Sequence, residues 1–261
     1  MRRLAFGLAL VFAACAGGSQ SANTSNANTP APAATGAVGE LASYGRELLV
    51  HTRAHMKPYV TANMDCAACH VAAGTRPRGG TLVGVAAQFP QWNKRAHRVI
   101  ALQDRIAECF LYSMNGRPPA YDSREMLALV SYVTSLSRGT PIGTGPDPKT
   151  RLAQFSPPHA PSRAHGSQIY TQKCSACHGA NGAGNAAYPA LWGNTSFNSG
   201  AGMHRLTTMA SFVRYNMPLN APGSLSDQDS YDVAAYVLSH ERPKFKKSRF
   251  VRFPPQRAGY F

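Results

Sequence analysis

Two short cysteine motifs carry the clearest chemistry in this sequence. Cys66-Ala67-Ala68-Cys69-His70 and Cys174-Ser175-Ala176-Cys177-His178 both read C-x-x-C-H, which is the attachment sequence of haem c. Two thiols three residues apart can join the two vinyl groups of one porphyrin, and the next residue brings a histidine beneath the iron. Neither motif has a second C-x-x-C nearby that would complete a zinc site. The sequence therefore predicts two covalently bound haem c groups, with His70 and His178 as axial ligands.

A chain of 261 residues is long enough for two domains of ~100–150 residues each. Apolar spacing predicts a helix over 39–56, and further helices are expected over 91–101, 103–114 and 124–137. Segment 124–133 parallels 230–237, which indicates a distant internal repeat, and the second half resembles class I cytochrome c. We expect an all-α fold of two cytochrome c-type domains, at 39–139 and 162–243, joined by a Pro/Gly-rich linker at 140–161.

The N-terminus looks like a secretion signal, because a basic start leads into an apolar run over 1–14. Two endings fit it. Residues 12–15 form a loose lipobox that would make Cys15 a lipid-modified membrane anchor, whereas Ala14-Cys15-Ala16 satisfies the rule for ordinary signal peptidase. A polar stretch over 17–38 would serve as a flexible tether, which favours the lipobox within 1–16. Either ending predicts an exported, periplasmic protein, as haem c attachment requires.

The formal net charge of the chain is +15. Such an excess attracts small anions, an acidic electron-transfer protein or an anionic membrane surface. No nucleic-acid-binding motif is visible, so nucleic acid is not an expected partner. The segment 244–261 is basic and holds no acid, which is typical of a solvated tail.

The second axial ligand of each iron is less clearly marked. Met217 stands in an Asn-Met-Pro setting that is typical of a distal methionine. In the first half the repeat offers Met114, yet Cys109 has the same separation from His70 as Met217 has from His178. A thiolate on the iron would lower its reduction potential. The residues alone leave Cys109 and Met114 open.

The surroundings of Cys109 resemble the diheme thiosulfate dehydrogenase family, whose first domain is related to the cysteine-ligated cytochrome of the sulfur-oxidation system. The resemblance covers about 39–243 and rests on Phe89-Pro90, Arg95, Arg105-Ile106-Ala107-Glu108-Cys109-Phe110, Ser113-Met114-Asn115-Gly116 and Glu125-Met126. It implies that His70 and Cys109 hold a catalytic haem 1, and that His178 and Met217 hold a haem 2 that passes electrons to an external cytochrome-type acceptor. Asn216 stands where some members carry a lysine, so lysine ligation is not expected.

The resemblance also implies an activity, the oxidation of two thiosulfate ions to tetrathionate. Arg95 and Arg105 match the family's substrate-binding arginines, and a guanidinium suits a sulfonate because it donates paired hydrogen bonds. Cys109 would form a covalent sulfur adduct that a second thiosulfate attacks, with Gln103 and Ser113 as hydrogen-bonding neighbours. Two other functions stay open: tetrathionate reduction, and electron transfer without catalysis. The pairing of two arginines with a cysteine favours the enzyme.

Overall fold

A computed structural model describes residues 35–245 of the chain. The predicted secretion signal, Cys15 and most of the predicted tether lie outside these residues, as does the basic tail beyond Phe245. Among the described residues, no helix combines the length and the apolar character that crossing a membrane demands.

Regular structure in residues 35–245 is almost entirely helical. The elements are α1 (Gly36–Val50), α2 (Thr52–His55), β1 (Gln91–Asn93), β2 (Arg98–Ile100), α3 (Leu102–Tyr112), α4 (Arg124–Ser135), α5 (Arg163–Lys173), α6 (Ser175–His178), α7 (Leu206–Asn216) and α8 (Asp227–Ser239). Single 3-10 turns lie between them at Lys57–Tyr59, Cys66–Ala68, Ala72–Gly74, Ala86–Gln88, Pro148–Thr150 and Gly202–His204. The helices expected over 103–114 and 124–137 are present as α3 and α4.

Two of the predicted helices differ from the structure. The helix expected over 39–56 starts earlier, at Gly36, and is broken at His51, after which the short α2 follows. The helix expected over 91–101 is wrong, because this segment is an antiparallel hairpin of β1 and β2. Asn93 closes the hairpin turn: its Oδ1 accepts hydrogen bonds from the backbone N–H groups of Arg95 (2.8 Å) and Ala96 (3.0 Å), which an asparagine offers in place of a helical bond.

The internal repeat appears as two matching helix crossings, α1 on α4 and α5 on α8. Each crossing is so close that only glycine fits at its centre. A Cβ on Gly45 would lie 2.0 Å from the Ala128 carbonyl oxygen, and a Cβ on Gly166 would lie 2.0 Å from that of Asp232. Ala128 and Asp232 are equivalent in the repeat, so both halves use the same contact. The start of α8 is capped by Ser226, whose hydroxyl accepts a hydrogen bond from the backbone N–H of Asp229 at 3.0 Å.

Hydrogen bonds also join the two halves to each other. The Asn63 N–H donates to the Thr195 carbonyl oxygen (2.6 Å), and the Asn63 carbonyl oxygen accepts from the Ala190 N–H (3.0 Å). The fully buried Asn198 donates through Nδ2 to the Leu111 carbonyl oxygen at 2.7 Å. The first bonds connect the loop before Cys66 with the loop after His178. The last connects the second half with the end of α3.

These close crossings give a stability prediction. Gly45→Ala and Gly166→Ala should each force a helix pair apart, because the new methyl enters the space of a backbone carbonyl; overpacking of this kind costs ~1–3 kcal/mol or more. We expect Tm to fall by roughly 4–8 °C per kcal/mol in a domain of this size, measured by thermal unfolding of the holoprotein. Gly202→Ala is the control, because its Cβ would meet only the Arg205 guanidinium at 3.6 Å. An equal loss in the control would contradict the crossing argument.

Candidate active site and haem sites

Both C-x-x-C-H motifs fold into a single helical turn. The His70 N–H bonds to the Cys66 carbonyl oxygen at 2.9 Å, and the His178 N–H bonds to that of Cys174 at 3.0 Å. This turn brings residues three and four apart onto one face, so both thiols and the imidazole of each motif point to the same side. None of the described cysteines forms a disulfide.

The thiols of these motifs lie in apolar surroundings. Burial raises the pKa of Cys66 to about 12, and it raises the pKa of Cys69 and of Cys174 to about 11. The buried Thr52 accepts the Cys66 N–H through its hydroxyl at 3.0 Å, which holds the start of the motif. Neutral thiols such as Cys66, Cys69 and Cys174 suit the apolar edge of a porphyrin, so the residues present fit haem c.

The two motif histidines are held in the same way by backbone carbonyls. His70 Nδ1 lies 2.6 Å from the Gly80 carbonyl oxygen, and His178 Nδ1 lies 3.0 Å from that of Pro189. A proton on Nδ1 donated to the carbonyl leaves Nε2 as the iron-binding nitrogen. Gly80 has φ +63°, and a Cβ there would lie 2.2 Å from the Cys69 carbonyl oxygen, so only glycine brings its carbonyl under the ring.

Cys109 lies on α3 with its sulfur beside His70 and the first cysteine pair. Burial raises the pKa of a thiol, but at Cys109 the charge of Arg105 and the His70 ring outweigh burial and bring the pKa below its ordinary value. The same sulfur contributes to the raised pKa of Cys66 and of Cys69. The structure therefore brings the Cys109 sulfur close to the His70 ring and to the first cysteine pair.

The two predicted arginines converge on Tyr112. Arg105 precedes Cys109 by one turn of α3, and the neighbouring Cys109 sulfur raises its pKa. The Arg95 guanidinium lies over the Tyr112 ring, 4.3 Å from its centroid, and donates to the Gly200 carbonyl oxygen at 2.9 Å. Burial raises the pKa of Tyr112 while both arginines act to lower it. Arg95 thus reaches the second half of the chain from the edge of site 1.

The remaining candidates on or near α3 are placed differently. Ser113 follows Cys109 by one turn, and its N–H bonds to the Cys109 carbonyl oxygen at 2.9 Å, so it shares the face of Cys109 and Arg105. Gln103 lies on another face of α3. Neither side chain makes a hydrogen bond within residues 35–245. Met114, the alternative ligand, is only 2% exposed and belongs to the hydrophobic core.

Met217 directly follows α7 and is half-buried. The residue before it, Asn216, is fully buried and donates through Nδ2 to the Arg78 carbonyl oxygen at 2.8 Å. That bond fixes the end of α7, and with it the backbone of Met217, against the loop that carries Gly80.

Comparisons with known proteins assign both halves. Residues 52–142 match the family model described as SoxA/TsdA, cytochrome c domain, and residues 164–241 match the one described as cytochrome c. The thiosulfate dehydrogenase of Stutzerimonas stutzeri is 41% identical over 213 residues, which are 80% of this chain and 69% of that protein. The thiosulfate dehydrogenase of Allochromatium vinosum is 39% identical over 225 residues, which are 81% of this chain and 82% of that protein.

The chain belongs to the thiosulfate dehydrogenase family. A solved structure of this family, thiosulfate dehydrogenase (TsdBA) from Marichromatium purpuratum, superposes with a TM-score of 0.78 at 32% identity and covers 89% of this chain. This chain spans about half (54%) of that longer chain. The expected all-α fold of two cytochrome c domains is confirmed, and so are the two covalently bound haem c groups.

Several residues around the candidate site were not identified from the sequence. Gly80 holds the His70 ring through its carbonyl oxygen and Thr52 holds the backbone N–H of Cys66, and neither residue type carries a local sign of that role. Asn93, Glu108 and Tyr112 lie beside the predicted arginines. Glu108 and Tyr112 lie on α3, three residues after Arg105 and Cys109 respectively. This helical spacing could have indicated that they lie beside the predicted site residues. Asn93 had no such signal, because its role depends on a hairpin that the sequence did not predict.

The motifs give a prediction of haem content for this family member. The wild type should contain two haems per chain in a pyridine haemochrome assay. Replacing Cys66 and Cys69 together with alanine, or Cys174 and Cys177 together with alanine, should leave one covalent haem, because each pair supplies the two thioether bonds of one group. Two covalent haems in either double variant would contradict the assignment.

Proposed function

We propose that this protein oxidises thiosulfate to tetrathionate at Cys109 and delivers the electrons to an external cytochrome-type acceptor. The observation that carries the proposal is the position of Cys109. Its sulfur lies beside His70 and next to the charge of Arg105, and the Arg95 guanidinium lies over the Tyr112 ring, one turn further along α3. A cytochrome that only carries electrons needs neither a thiol beside its iron nor an arginine next to that thiol.

Four side chains would hold the two irons. His70 and Cys109 would hold haem 1, and His178 and Met217 would hold haem 2, with each histidine oriented by its backbone carbonyl. The two haems supply one-electron acceptors that a protein side chain cannot provide. A thiolate ligand lowers the potential of an iron and a methionine raises it, so electrons would move from haem 1 to haem 2.

Cationic side chains offset the charge of the substrate. Thiosulfate is a dianion, and the reaction must bring two of these ions together in spite of their repulsion. The side chain of Arg105 is half-exposed and so can meet an anion from solvent while it stays beside Cys109. Arg95 is exposed at the same edge. Guanidinium groups suit this task because their paired N–H donors match two sulfonate oxygens.

The sulfur chemistry takes two steps at Cys109. The thiolate joins the terminal sulfur of the first thiosulfate, which forms one S–S bond and releases two electrons. The terminal sulfur of the second thiosulfate then attacks its counterpart in the adduct. This step forms the central S–S bond of tetrathionate and breaks the bond to Cys109, which leaves as thiolate. The lowered pKa of Cys109 favours the thiolate in both steps.

The remaining assignments concern the location and partners of the protein. We propose that it is exported, since haem c attachment takes place outside the cytoplasm, and that lipidated Cys15 anchors it to a membrane. The electron acceptor would be a cytochrome or a similar redox protein. Mass spectrometry of the mature N-terminus tests the anchor: a lipid on Cys15 supports it, and a chain that begins after Cys15 contradicts it.

The activity test uses purified holoprotein, thiosulfate and a one-electron acceptor. We expect two electrons transferred for each tetrathionate formed. Cys109→Ala should lose at least ~100-fold in kcat, the order of loss when an activated nucleophile is removed, and should keep both haems in the haemochrome assay. Tetrathionate with a reduced donor, offered in a parallel reaction, tests the reverse direction.

Met114→Leu is the matched control for this test, since it removes the alternative ligand and conserves core volume. It should leave the turnover and the electron paramagnetic resonance spectrum of haem 1 unchanged, whereas Cys109→Ala should change both. The opposite pattern, with an altered spectrum only in Met114→Leu, would contradict the assignment of Cys109. If the wild type neither oxidises thiosulfate nor reduces tetrathionate, the protein is an electron carrier and not an enzyme.

A further inference from the structure

A chain of hydrogen bonds begins at the turn of the β1–β2 hairpin. Asn93 Oδ1 accepts from the backbone N–H groups of Arg95 and Ala96, at 2.8 and 3.0 Å. The amide nitrogen of the same side chain donates to Glu108 Oε1 at 3.0 Å. Asn93 therefore uses both ends of its amide, one to set the backbone of Arg95 and the other to hold the hairpin on α3.

Glu108 carries the chain on to the second arginine. Its Oε2 accepts from Arg105 Nη1 at 3.2 Å, and its side chain is only 9% exposed. The backbone of Arg95 is thus connected to the guanidinium of Arg105 through two intervening side chains, although the two arginines belong to different elements. We call the Asn93–Glu108 hydrogen bond, with its links to Arg95 and Arg105, the arginine bridge.

The negative charge of Glu108 is unexpected beside a site for anions, so its position calls for a structural reason. A carboxylate is expensive to bury, and next to a site for dianions it weakens attraction. If the site required only positive charge, an uncharged side chain would serve better here. The carboxylate instead supplies two separate acceptor oxygens, one for each link of the bridge. Within residues 35–245, Nε and Nη2 of Arg105 make no hydrogen bond, so these donors remain for an anion.

We propose that the arginine bridge is a positioning device: it fixes the backbone from which the Arg95 side chain starts relative to the Arg105 guanidinium, so that both arginines can meet the sulfonate groups of the substrate. The inference rests on the proposed function and assigns roles to Asn93 and Glu108, which act through the arginines and need not touch thiosulfate. A fixed spacing matters because a guanidinium grips a sulfonate only in a narrow range of orientations.

A charge-conserving exchange tests the bridge. Glu108→Gln leaves one acceptor oxygen facing two donors, so one link is lost whichever way the new amide turns. Asn93→Asp sets two carboxylates against each other. The double variant Asn93→Asp/Glu108→Gln restores every link: the new carboxylate accepts from the hairpin N–H groups and from the new amide nitrogen, and the new amide oxygen accepts from Arg105. Its net charge equals that of the wild type.

The measurements are the KM and kcat for thiosulfate, and the Kd of thiosulfate for the photochemically reduced holoprotein by calorimetry, where no turnover occurs. Each single variant should raise KM and Kd about tenfold, as expected for one lost hydrogen bond to a charged group, with the haem 1 spectrum unchanged. The double variant should return within about threefold of the wild type. Glu40→Gln, at an exposed site on α1, controls for the loss of one negative charge.

Other outcomes overturn the inference. If Glu108→Gln binds thiosulfate as tightly as the wild type or more tightly, Glu108 acts only through its charge. If the double variant folds but its Kd for thiosulfate stays as high as in the single variants, the hydrogen bonds of the bridge do not position the arginines. If Glu108→Gln fails to fold, Asn93→Ala removes the same hydrogen bond from the hairpin side. An unchanged Kd for thiosulfate in Asn93→Ala would then also contradict the bridge. A wild type that neither binds nor oxidises thiosulfate overturns the proposed function as well, whereas normal wild-type turnover confines the failure to the bridge.

Discussion

The interaction between the Cys109 sulfur and its two neighbours, His70 and Arg105, is the one on which the first half of the molecule depends. His70 is fixed from below by the Gly80 carbonyl, and Cys109 is carried by α3, whose end is bonded to the second half through Asn198. A buried thiol ordinarily stays protonated. Here the Arg105 guanidinium one helical turn away lowers its pKa, and in the proposed function the same guanidinium would also attract the anionic substrate.

The two halves share a plan and differ in one element. Both use a glycine-centred helix crossing and a carbonyl-bound histidine, as expected of an internal repeat. Among the described residues, only the first half has a hairpin, which directly precedes α3 and brings Asn93 to Glu108 and Arg95 to Tyr112. Arg95 then bonds to Gly200 of the second half. Arg95 therefore lies where the first half meets the second, which is where the proposed function needs a cation for its substrate.

Sequence reasoning reached the parts of this site that depend on local spacing. The C-x-x-C-H motifs and the helices α3 and α4 are all short-range patterns. The hairpin was missed because its strands are three residues long, too short to show alternation, and because its Trp92–Val99 pair is exposed. The choice between Cys109 and Met114 was open because separation along the chain does not tell which side chain faces the iron. The Asn93–Glu108 contact joins elements fifteen residues apart and becomes visible only when the hairpin is folded.

The most direct test of the account is to detect the adduct on Cys109. The holoprotein would be mixed with limiting thiosulfate and an electron acceptor, quenched in acid and digested with trypsin, and the peptide 106–124, whose single cysteine is Cys109, would be weighed by mass spectrometry. The account predicts a peptide heavier by one thiosulfate, whose extra mass disappears with a thiol reductant and with excess thiosulfate. Continued formation of tetrathionate with this peptide unmodified throughout would contradict the central role of Cys109.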